Sequence, residues 1–82
     1  METTKLTLGQ LKEGQSCVLT EIGGEGALRR RLLDMGLTPG VRVLLRGTAP
    51  MGDPLELFLR GYSLSLRKED AGYITVSEVT SV

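Results

Sequence analysis

Leu28-Arg29-Arg30-Arg31-Leu32-Leu33-Asp34-Met35-Gly36-Leu37-Thr38-Pro39-Gly40 decides the fold, because it spells out how a helix stops and a strand begins. Leu28, Leu32 and Met35 recur at i, i+4 and i+7 and share one helical face, from which Arg29, Arg30 and Asp34 fall away. Gly36 stands where a helix C-cap needs a left-handed residue, a conformation only glycine adopts cheaply, and Leu37 is then placed to fold back onto Leu32. Thr38-Pro39-Gly40-Val41 reads as a type II turn, proline supplying the fixed φ and glycine the positive one. The strand Val41-Arg42-Val43 follows at once.

Upstream, Leu6 to Leu11 fits a short strand and one helical turn, closed by Gly14. Gln15 to Ile22 is apolar and β-branched enough for a first main strand. Gly23-Gly24-Glu25-Gly26 breaks it, with Glu25 near the positive end of the following helix. Downstream, apolar residues alternate at Val41, Val43 and Leu45, at Leu55, Leu57 and Leu59, and at Tyr62, Leu64 and Leu66. Gly61 separates the last two runs and predicts a tight bend or bulge. Residues 47–54 form a proline-bearing loop, residues 68–72 suit a single helical turn, and Tyr73 to Val79 make a last strand. The expected fold is mainly β: a small, closed five-stranded barrel with one short α-helix after the first main strand and a single helical turn before the last. Closure would remove the unpaired edges that make small sheets aggregate. Residues 1–5 read as a flexible N-terminal tail, 6–79 as the domain and 80–82 as a C-terminal tail.

Eighty-two residues make one domain, near the lower size limit for an unstapled core. No apolar run approaches the roughly 18 residues of a membrane span, and Met1 to Lys5 lacks a signal-peptide core. A cytoplasmic protein is the expectation. The single Cys17 forbids an internal disulfide and, between apolar neighbours, reads as a buried small hydrophobe. Net charge is zero but segregated. Residues 29–68 carry eight basic and three acidic side chains, and the flanks carry two basic and seven acidic. Folding into a well-mixed surface is the plain reading of that split.

Three stretches together carry a family resemblance: the helix ending in Met35-Gly36-Leu37-Thr38-Pro39-Gly40, the loop Ala49-Pro50-Met51-Gly52-Asp53-Pro54, and Leu64-Ser65-Leu66-Arg67-Lys68-Glu69-Asp70-Ala71. Over about residues 6–79 the chain resembles the FeoA family, small SH3-like proteins of bacterial ferrous iron transport. The resemblance implies a cytosolic accessory protein acting with the large transporter FeoB, a membrane protein carrying a GTP-binding domain. The same module also ends metal-dependent transcriptional repressors. These 82 residues show no helix-turn-helix pattern, so transport is the expectation.

The residues themselves argue against a carrier or an enzyme. With no histidine and one cysteine, imidazole ligation is impossible and one chain cannot build a multi-thiolate site. Asp53 and Glu56, and Glu69 and Asp70, read as solvated acids rather than metal ligands. Ser16 and Cys17 lack a histidine base, and general acid–base chemistry would need a strongly shifted group. Gly23-Gly24-Glu25-Gly26 before a helix has the glycines of a phosphate loop but not its lysine, so it reads as a strand-to-helix connection. No cofactor is called for.

Binding remains, and two surfaces stand out as partner-binding. One is the helix end with its corner: Arg29, Arg30, Leu33, Leu37 and Pro39, with Leu33 read first as core. The other is the loop Pro50, Met51, Gly52, Asp53 and Pro54, stiffened by two prolines and tipped by an adaptable methionine. Leu44 and Phe58, flanked by Arg42, Arg46 and Arg60, either add an apolar centre with a basic rim or are covered by the N-terminal segment. The leading expectation is a module that docks on the cytosolic region of FeoB, meeting the membrane only through it, with weak self-association left open. Alternatives are a small-barrel nucleic-acid-binding protein, for which three aromatics and zero net charge make a poor platform, and a stand-alone metal-responsive regulatory domain.

Overall fold

The helix-to-strand corner forms as its residues demand. Helix α1 (Gly26–Asp34) ends in paired hydrogen bonds, Leu37 N to Leu32 O at 3.2 Å and Gly36 N to Leu33 O at 3.0 Å, with Gly36 at φ +96°. This double closure is a Schellman motif, and its apolar pair, Leu32 and Leu37, is fully buried. Val41 N then donates to Thr38 O at 3.2 Å with Gly40 at φ +93°, the expected type II turn. Gly40 N to Leu19 O and Leu19 N to Val41 O fasten the corner to the first strand.

The structure, a computed structural model, describes residues 6–81. A 3₁₀ turn (Leu8–Gln10) leads into β1 (Gln15–Ile22), α1, β2 (Arg42–Thr48), β3 (Leu55–Leu59), β4 (Tyr62–Leu66), the single turn α2 (Lys68–Ala71) and β5 (Ile74–Ser81). All strand pairs are antiparallel, in the order β4-β3-β2-β1-β5. The fold is mainly β, five strands with two helices.

Alternation placed the faces correctly. Val41, Val43, Leu45, Leu55, Leu57, Leu59 and Leu66 point inward with Cys17, Leu19, Ile22, Ile74 and Val76, and all join one core with Leu8, Leu11, Leu32, Leu37 and Ala71. Each fully buried leucine contributes about 1.5–3 kcal/mol relative to an exposed one.

Three expectations need correction. Among the described residues no ladder joins β4 to β5, so the barrel does not close through its backbone. Helix α1 lies at that opening instead, touching β4 through Tyr62 and Met35, the end of β1 through Arg29 Nε to Ile22 O (3.1 Å), and α2 through Arg31 and Asp70 (3.1 Å). The last strand does not stop at Val79: Thr80 pairs with Ser16 and Ser81 with Gln15, so those residues belong to the sheet rather than to a tail. Finally, the tight bend expected at Gly61 forms, but it takes Arg60 out of the strand run: Arg60-Gly61 make a two-residue turn, both at positive φ (49° and 86°), which is type I′. The N-terminal tail assignment, residues 1–5, and Val82 lie outside the described residues.

Candidate functional site

Two prolines and a β-turn shape the loop between β2 and β3. Gly52 N donates to Ala49 O at 2.7 Å, and Ala49 N to Pro54 O at 3.1 Å. Asp53 Oδ1 accepts from Lys68 N at 2.9 Å, tying the loop to the first turn of α2. Glu13 Oε2 accepts from Thr48 N at 3.2 Å on the other flank. Braced on both sides, the loop holds up Met51, 91% exposed. Pro50 is exposed, while Gly52 and Pro54 are half-buried.

At the corner the candidate residues divide. Arg30 is exposed and has no ion-pair or hydrogen-bond partner among the described residues, and Pro39 is exposed. Leu33 is half-buried and packs on the core while keeping some outward surface. Arg29 is held by the Ile22 carbonyl. Leu37 is fully buried as the Schellman partner of Leu32, so it shapes the corner and offers nothing to touch.

The corner and the loop are not brought together. The corner adjoins the Arg42 end of β2, the loop its Thr48 end, and a strand of this length separates them by about 20 Å. Arg60 Nη2, donating to Thr38 Oγ1 at 3.2 Å, ties the β3–β4 turn to the corner side.

The outer face of the sheet carries a cross-strand row. Ser63, Phe58, Leu44, Ser16 and Thr80 lie opposite one another across all five strands. Leu44 and Phe58 are half-buried, and the Arg46 guanidinium stacks 4.2 Å from the Phe58 ring centre. Arg42 donates to Ser16 Oγ at 3.3 Å and pairs with Glu78 at 3.7 Å. Folding thus sets two central arginines against flank acids, Arg31 with Asp70 and Arg42 with Glu78. Such exposed pairs contribute about 0–1 kcal/mol each.

Burial pushes the Cys17 thiol up to about 11, the Arg42 charge opposing it, so it is a packed core group rather than a nucleophile. Asp53 and Glu56 face different partners, Lys68 N and Ser65 Oγ. Among the described residues no three of His, Cys, Asp and Glu converge as a metal site. Gly23 belongs to a close strand contact, its N donating to Tyr73 O at 2.7 Å, in keeping with a connector rather than a phosphate loop. No helix among the described residues is long and apolar enough to cross a membrane. The feature that sequence reading passed over is the outer edge of β4, which only the strand order makes visible.

Comparison with known proteins places this geometry. The model of the FeoA domain matches residues 6–78. A FeoA-like protein from Clostridium acetobutylicum, solved by NMR, is 41% identical and superimposes with a TM-score of 0.84, over 93% of this chain and 88% of that one. A crystal structure of Stenotrophomonas maltophilia FeoA with zinc, described as a prokaryotic SH3 domain protein, is 26% identical with a TM-score of 0.77, covering 88% of this chain and 89% of that one. A Porphyromonas gingivalis protein in which Fe(2+) transport protein A is fused to the Fe(2+) transporter FeoB is 34% identical over 76 residues, which are 93% of this chain but 9% of the fusion protein. With the helix corner, the five antiparallel strands and the domain match in agreement, the chain belongs to the FeoA family, small SH3-like accessory domains of ferrous iron transport rather than enzymes.

Proposed function

We propose that the chain is a cytosolic interaction module that docks on the cytosolic part of a FeoB-type transporter and biases its assembly or its GTP-dependent state. The observation that carries this reading is the Porphyromonas gingivalis fusion, where a matching segment and FeoB share one polypeptide. Two modules joined covalently face each other at high effective concentration, so a separate chain of the same fold must hold the contact by its own surface. Exposed Met51 on its braced loop, with Pro50, supplies a stiff apolar knob that loses little entropy on docking. Arg30 and Pro39, beside partly exposed Leu33, supply a second contact about 20 Å away, so a partner using both must span the β2–β3 hairpin.

Capture of FeoB's cytosolic region by the immobilised chain, with and without guanine nucleotide, tests this. Leu33→Glu and Met51→Asp are expected to weaken capture in folded protein. No capture by the wild-type chain in any nucleotide state refutes it.

A further inference from the structure

The two edges of the sheet are finished differently. On β5, Thr7 bridges Thr75, Val76 N donates to Leu6 O, and Glu78 interrupts the strand at φ +50°. On β4 no bridge, bulge or left-handed residue intervenes among the described residues; α1 lies beside it, touching it through Tyr62 and Met35, and leaves Ser63 and Ser65 exposed. The pairing of β4 with β3 runs through five residue pairs without a register shift, unlike the β1–β5 and β2–β3 ladders. From the tight turn outward, Leu59–Tyr62, Leu57–Leu64 and Leu55–Leu66 exchange hydrogen bonds, so the N–H and C=O of Ser63 and Ser65 point away from the sheet. Among the described residues no ladder meets them. Tyr62-Ser63-Leu64-Ser65-Leu66 also lacks the charge, proline or bulge that ordinarily blunts a free edge.

Beside this edge, between β4 and α1, runs an open groove of about 270 Å³ lined by Arg31, Met35, Ser65, Leu66, Arg67 and Asp70. Asp70 holds Arg31, which leaves Arg67 as the uncommitted cation. Cations flank the strand at both ends, Arg60 before it and Arg67-Lys68 after it.

That flanking charge selects the occupant. If a second copy paired β4 against β4 in the register that joins Ser63 and Ser65 of both copies, Ser63 opposite Ser65, the strand ends would bring Arg60 of one copy near Lys68 of the other at both ends, and like charges held close repel. We infer that the β4 edge is a docking site for an extended, acid-flanked segment of a partner protein, added as a sixth strand. Main-chain hydrogen bonds to Ser63 and Ser65 supply affinity, and carboxylates near Arg60 and Arg67 set the register. The inference rests on the reading of the chain as an interaction module and names a surface for it.

The test titrates the ¹⁵N-labelled full chain with two synthetic peptides sharing the core Val-Thr-Val-Thr-Val, one flanked by aspartates and one by lysines. The aspartate peptide is expected to shift the Ser63 and Ser65 amides and slow their hydrogen exchange about tenfold, and the lysine peptide to leave them unmoved. Ser63→Pro removes an outward donor and leaves the β3–β4 bonds intact, while Arg67→Glu reverses the charge; each is expected to abolish the response. Equal response to both peptides, shifts confined elsewhere, or no response overturns the inference. So does a dimer that Ser63→Pro disrupts, or an edge that answers single-stranded oligonucleotide instead of peptide. Wild-type capture of FeoB's cytosolic region by Arg67→Glu, with no peptide response in the wild type, removes the edge and leaves the proposed function standing. A peptide response without capture of FeoB does the reverse.

Discussion

The Tyr62 hydroxyl donates to the Met35 carbonyl at the end of α1 and fills the space into which a side chain at Gly36 would have to project. Gly36 is therefore demanded twice, by its left-handed φ and by the neighbour that closes over it. Tyr62→Phe is expected to cost about 0.5–1.5 kcal/mol, and Gly36→Ala about 1–3 kcal/mol. Because both act on one small volume, Gly36→Ala should cost less in the Tyr62→Phe background, by about 0.5 kcal/mol or more. Urea unfolding of the four proteins measures this, and strict additivity would sever the two residues.

Cys17 gives a pH prediction with a definite sign. Its thiol ordinarily loses its proton near 9.0 and in the fold only near 11, because burial disfavours the thiolate. Between those values the folded chain binds the proton more tightly than the unfolded chain. The stability this group contributes is complete below pH 9 and fades as pH rises from 9 toward 11. Unfolding midpoints of wild type and Cys17→Ala across that window should converge with rising pH. Alkylation by iodoacetamide at pH 8 should be slow until denaturant is added.

Asp53 fastens the β2–β3 loop to α2 through one backbone N–H. Asp53→Ala is expected to cost about 0.5–2 kcal/mol, the range for losing an acceptor at a helix start. Faster exchange at the Lys68 amide, with the core amides of β3 unaffected, would locate the loss. Unchanged Lys68 exchange would show that the contact contributes nothing.

Burial and exposure separate shape from contact. Leu37→Ala opens the packed corner and is expected to cost about 2–5 kcal/mol. Met51→Asp changes a side chain that rests on nothing, so stability should stay within about 0.5 kcal/mol of wild type while capture of FeoB falls. A large drop in melting temperature for Met51→Asp would mean that the tip has a hidden structural partner.

How far the primary structure was legible varied with the range of the interaction. The corner could be read because Gly36, Pro39 and Gly40 impose backbone angles that admit one local arrangement. Alternation at Leu55, Leu57 and Leu59 revealed the inward face for the same reason, each pattern depending on neighbours a few residues away. The candidate contacts fared unevenly. Met51 is as exposed as a loop tip should be, whereas Leu37 is consumed by the corner it helps to make. What escaped is decided at long range. Whether β4 meets β5 depends on accumulated strand twist, and α1 lying at the opening changes the answer. Asp53 looked like a free acid because its acceptor role uses an amide fifteen residues away in the chain.

At the first position of the type I′ turn the chain holds Arg60 in a left-handed conformation where asparagine, before glycine, is the favoured occupant. Arg60→Asn is therefore expected to raise the melting temperature, by the gain in backbone preference less what the Arg60–Thr38 hydrogen bond contributes. The thermal headroom forgone at this hairpin gauges what a guanidinium at the rim is worth to a molecule that operates by being held.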